Sequence, residues 1–135
     1  MLRKIAVVML LAPTIVCAAN LSQGDKNQQQ PEYYYEKPVN IKGTLVRELI
    51  GFPSLRPDDL FSVSSSNGDP DSLEPNEFGV GATQLVITED ALWDKFEGLK
   101  GKRAIVNCRL YHADNINHKT PVLCLVNSIS PVKAK

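Results

Sequence analysis

The clearest hydrophobic pattern lies late in the chain. Between Arg103 and Tyr111, the residues Ala104, Val106, Cys108 and Leu110 alternate with Ile105, Asn107, Arg109 and Tyr111. A period of two predicts a strand with one face buried. Thr120 to Ile129 reads as a last strand, with Pro121 at its first turn and Pro131 closing it. Val39-Asn40-Ile41-Lys42-Gly43-Thr44-Leu45-Val46 alternates in the same way, and Gly43 in its middle predicts a bend or bulge. That strand can run on through Arg47-Glu48-Leu49 until Gly51-Phe52-Pro53 breaks it. Leu60 to Ser64 and Thr83 to Ile87 supply two more short strands. Leu92, Phe96 and Leu99 then recur at helical spacing with Trp93 beside them, behind acids at Glu89 and Asp90 that suit a helix start. Thr88 is the expected cap and Gly101 the stop.

The order is therefore strand, strand, strand, helix, strand, strand. It predicts a mainly β fold: a small OB-fold-like five-stranded barrel with one helix between strands 3 and 4. A small β-sandwich is the alternative. Within the last hairpin, a turn centred on Ile116 would set Cys108 opposite Cys124, Arg109 opposite Leu123 and Leu110 opposite Val122. Directly opposed cysteines are within reach of a bridge.

The segments outside this pattern divide the chain. Residues 1–19 open with Arg3 and Lys4, continue with an apolar run from Ile5 to Val16 and end on Cys17-Ala18-Ala19. That is the layout of a cleaved signal peptide, and the run is too short to span a bilayer. Cleavage after Ala19 fits best, with Ala18 close behind. Val16 before Cys17 argues against a lipoprotein, whose lipidated Cys normally follows a small residue. Residues 20–38 are polar and aperiodic, and read as a flexible leader. Residues 39–132 form the single OB-like β domain. Tyr33-Tyr34-Tyr35 interrupts the leader, and packing of one or two of these rings onto the barrel competes with a role in stacking on a sugar or a base.

Composition narrows the function. The 135 residues carry 15 bases and 15 acids, so nothing favours nucleic acid as a partner. An exported chain meets an oxidising compartment, where Cys108 and Cys124 read as one disulfide, with two buried thiols as the alternative. Charge is uneven along the chain. Asp58, Asp59, Asp69, Asp71, Glu74 and Glu77 follow one another with no base between them, whereas Lys100 to Lys119 is basic. The acids do not keep the alternation of a calcium loop, so they read as a solvated acidic rim or as a surface that steers a partner. His112 and His118 flank the last turn and, with Asp114, hold the minimum for a catalytic zinc, but without the rigid helical spacing such sites use. No metal or other cofactor is expected.

Several stretches resemble a known family. Gly101-Lys102-Arg103, Leu110-Tyr111-His112-Ala113 and Asn117-His118-Lys119-Thr120-Pro121-Val122-Leu123 are similar to the end of the bacterial DUF4431 domain, found in small exported proteins of unknown function. Val39 to Leu45 and Gly68-Asp69 are similar to its earlier part. The chain departs from that pattern in keeping only His118 of a histidine run, with Lys119 after it, and in lacking a mid-domain cysteine. The resemblance implies no activity.

The function expected from these readings is that of an exported, periplasmic, non-enzymatic binding protein, an inhibitor or immunity-type protein for a cell-envelope enzyme or toxin. It would meet a protein partner through Asp58, Asp59, Asp69 and Asp71 together with the tip at His112, His118 and Lys119. A glycan-binding module using Tyr33 to Tyr35, Trp93 and Tyr111 is the first alternative, and a metal-dependent enzyme is the last.

Overall fold

The computed structural model describes residues 30–65 and 74–133. Eight strands and one helix follow in chain order: β1 (Glu32–Tyr34), β2 (Pro38–Arg47), β3 (Pro53–Pro57), β4 (Phe61–Ser64), β5 (Glu77–Val80), β6 (Thr83–Val86), α1 (Asp90–Leu99), β7 (Arg103–His112) and β8 (Val122–Pro131). Five of them close a barrel in the order β2-β3-β6-β8-β7. Its pairs are antiparallel except for β6 with β8, which run parallel. Helix α1 joins the end of β6 to the start of β7 at one rim and drives Leu92 and Phe96 into the core. The other three strands form a second sheet, β1-β4-β5. They connect to the start of β2, the end of β3 and the start of β6, so this sheet attaches at the opposite rim. Closure removes the free strand edges that a flat five-stranded sheet would leave.

The alternation in β7 is realised in full: Ala104, Val106, Cys108 and Leu110 are all wholly buried. Gly43 is required by proximity to its neighbour strand. A Cβ there would lie 2.2 Å from the carbonyl oxygen of Arg56 and 2.8 Å from Cα of Pro57. Only glycine lets β2 and β3 approach this closely.

Several expectations need correction. The second barrel strand is Pro53–Pro57, where a break was expected, and Leu60 to Ser64 contributes β4 to the second sheet instead. The leader does not extend to residue 38. Tyr35 is wholly buried and donates its hydroxyl to the carbonyl of Pro75 at 2.8 Å, and Tyr33 lies edge-on to Phe61, so the fold begins by Glu32. Thr88 is not the helix cap. The position falls to Glu89, whose side chain makes no capping bond, while Gly101 does end the helix at φ 82°. The proposed signal segment, residues 1–19, lies outside the described residues.

The last hairpin is shifted by two residues from the expected register. Leu110 faces Cys124, Cys108 faces Val126, and Asn127 is left over as a bulge between Asn107 and Cys108 on the partner strand. A shift of two preserves the faces, so both cysteines still point inward. The disulfide Cys108–Cys124 forms with the Cα atoms 5.4 Å apart.

Candidate functional site

An exposed apolar turn joins β2 to β3. Its backbone is closed by two bonds, from the Glu48 amide to the Phe52 carbonyl at 2.9 Å and from the Gly51 amide to the Glu48 carbonyl at 2.7 Å. Gly51 adopts φ 94°, a left-handed geometry that suits glycine. Arg47 braces the turn from one side. One guanidinium nitrogen donates to the Gly51 carbonyl at 3.1 Å and another to Glu97 on α1, while the group lies over the rings of Trp93 and Phe96. Glu48 braces it from the other side. Its carboxylate accepts from the buried hydroxyl of Ser54 at 2.6 Å and from Arg56 at 2.9 and 3.2 Å. The hydrogen bonds from Arg56 first and Ser54 second hold this carboxyl below its usual range.

At the apex of this scaffold, Leu49 and Ile50 stand in solvent at 105% and 74% exposure. Burial of each such side chain would be worth roughly 1.5–3 kcal/mol. Scattered apolar residues on a surface are ordinary, but these two are adjacent and held on a braced turn. Leu49 was expected at the tail of a strand, but β2 ends at Arg47.

The residues expected to form one binding surface are distributed over different parts of the molecule. Asp58 is engaged by Arg103 through two guanidinium nitrogens, which hold its carboxyl below the usual carboxylate range. Asp59 sits close enough to Tyr33 to push that phenol up, after the larger effect of burial. Asp69 and Asp71 lie outside the described residues. Arg103, the partner of Asp58, begins β7, and His112 ends it. Nine residues of strand place their Cα atoms about 30 Å apart. Asp58 therefore does not join the tip at His112 and Lys119 in one surface, whereas Glu77, at the far end of the acidic segment, reaches that tip through His112.

The tip itself is internally bonded. Both ring nitrogens of His112 face acceptors, Glu77 Oε1 at 2.9 Å and the Ala113 carbonyl at 2.9 Å. His118 accepts the Asp114 amide at Nδ1 and lies edge-on to Tyr111. Lys119 donates its amide to Gln84 and its Nζ to the Ile116 carbonyl. Successive positions on β7 face opposite ways, so His118 beside Tyr111 and His112 beside Glu77 and Tyr35 do not converge. Among the described residues, no three His, Cys, Asp or Glu side chains gather as a metal would need. The tyrosine run is likewise divided: Tyr35 is in the core, Tyr33 stacks inward and only Tyr34 is exposed.

Among the described residues, these features define a small closed β-barrel with one helix, a second three-stranded sheet and an internal disulfide. Residues 82–130 match the model of DUF4431, a domain of unknown function, and the match spans most of β6 to β8, including α1. No curated protein and no solved structure matches the chain. The Leu49–Ile50 turn lies on the part of the chain before the matched segment.

Proposed function

We propose that the protein is an exported, non-enzymatic binding protein of the inhibitor or immunity type, which meets a protein of the cell envelope by inserting Leu49 and Ile50 into an apolar pocket on that partner. The observation that carries this reading is the exposure of two adjacent aliphatic side chains on a turn braced by Arg47 and Glu48. Preorganisation means that little ordering entropy opposes insertion. A buried disulfide supports export to an oxidising compartment. The barrel order, its parallel β6–β8 pair and the helix between the third and fourth barrel strands support an OB-type assignment. In that assignment the β2–β3 turn corresponds to the first of the two loops that OB-folds use to grip ligands.

The test is a capture experiment from envelope extract, with the protein and its Leu49→Asp/Ile50→Asp variant side by side. A protein retained by the first and lost by the second supports the reading. Equal retention by both would remove the turn from the interface.

A further inference from the structure

We infer a second binding site, for an acidic polypeptide segment, in the groove on the outer face of β2, β7 and β8. The groove encloses about 1000 Å³ beside the α1–β7 turn. Leu99, Ile105 and Val132 give it an apolar floor, and Lys42, Lys102 and Lys133 stand around it with Arg103. Three of these cations, Lys42, Lys102 and Lys133, have no carboxylate within ion-pair distance among the described residues. The fourth shows what the site accepts: Arg103 already holds a carboxylate, that of Asp58, through two nitrogens.

The chemistry that fits is a chain with carboxylates set between aliphatic side chains. The carboxylates would meet the three lysines, and the aliphatic groups would cover Ile105 and Val132. Neighbouring amides favour an extended backbone beside the groove. Asn40, Asn107 and Asn127 form a bonded row across the same three strands, with Asn107 donating to Asn40 at 2.8 Å and Asn127 to Asn107 at 3.1 Å. Their placement continues the outward face of Lys42 and Ile105 along the strands. The Leu49–Ile50 turn lies on the other side of Lys100–Gly101, so the two sites are separate and can be tested apart.

The probe is a fluorescein-labelled octapeptide of alternating Glu and Leu, with a Gln-for-Glu control, titrated by anisotropy against the purified protein. Saturable binding of the acidic peptide only, weakening with added salt, is expected. The Lys42→Glu/Lys102→Glu/Lys133→Glu variant should lose about tenfold or more in affinity, because reversal sets like charges against the ligand. Its unchanged circular dichroism would show that the fold survives. The Leu49→Asp/Ile50→Asp variant should bind the peptide as before, which separates this site from the turn. Equal affinity for the Gln peptide, or no loss in the triple variant, would overturn the proposal. So would charge-dependent sedimentation with phosphatidylglycerol vesicles in the absence of peptide binding, which would reassign the groove to a lipid surface.

Discussion

Cys108 and Cys124 are joined diagonally across the β7–β8 ladder. Cys124 faces Leu110 and Cys108 faces Val126, yet their Cα atoms are 5.4 Å apart and both side chains are wholly buried. The bulge at Asn127 lies beside this bridge, so the bond pins the register on one side of an irregularity where the ladder would otherwise be free to slip.

Removal of the bridge should therefore be felt in both folding states. The sequence separation is 16, and cross-linking a loop of that size removes roughly 3 kcal/mol of unfolded-state entropy. The Cys108→Ala/Cys124→Ala variant should lose about 2–3 kcal/mol in urea denaturation. A loss well below 1 kcal/mol would mean that the register is held without the bond.

Gly43 offers a sharper steric test. Its missing Cβ would fall on the backbone of Arg56 and Pro57, which cannot rotate away as a side chain could. Gly43→Ala should cost about 2–3 kcal/mol by forcing β2 and β3 apart, at the upper end of ordinary overpacking. The melting temperature reports it, and Gly98→Ala, in helix α1 with nothing within 4 Å of the new methyl, serves as the contrast, since alanine there should raise stability by up to about 1 kcal/mol.

The alternation of β7 is complete because one face of that strand lies entirely in the core, and the helix is legible from Leu92 and Phe96 for the same reason. β3 was hidden because Pro53, Ser54 and Leu55 are buried in succession, and the hydroxyl that would mark Ser54 as solvent-facing is instead bonded to Glu48. The turn at Leu49 and Ile50 was hidden by the opposite mismatch. Aliphatic residues before a glycine read as strand, whereas the turn that holds them in water is closed by the amides of Glu48 and Gly51 and braced by Arg47 on Glu97 and by Glu48 on Arg56. The acidic segment misled because composition carries no position: one of its acids is bound at the start of β7 and another at its end.

Tyr35 should govern the alkaline limb of stability. Burial, with the nearby charges of Glu77 and Glu74 adding to it, pushes its phenol up. In the unfolded chain the phenol ionises near 10, while in the folded protein it keeps its proton to higher pH, so stability is full below about pH 10 and falls above it. Tyr35→Phe should lose about 1 kcal/mol at neutral pH with the bond to Pro75. The same variant should show a shallower decline from about pH 10 upward, the rest of the slope belonging to Tyr33 and Tyr111, whose phenols burial also pushes up. Urea midpoints measured across that range decide it, and an unchanged slope would place the alkaline sensitivity elsewhere.

Arg47 should control the order of the proposed anchor without touching a partner. Its guanidinium reaches the Gly51 carbonyl and Glu97 at once and lies over two rings of α1, so it ties the turn to the helix. Lysine keeps the charge but has neither the planar fork nor the stacking surface. In Arg47→Lys, the amides of Glu48 and Gly51, which close the turn, should exchange with solvent about tenfold faster, a local loss of about 1.4 kcal/mol. Amides in the middle of β7, such as Val106, should hold their protection, because the barrel does not depend on this contact. Hydrogen exchange followed residue by residue separates the two regions. If Glu48 and Gly51 exchange at the parent rate, the backbone bonds alone suffice to hold Leu49 and Ile50 in place, and the brace is dispensable.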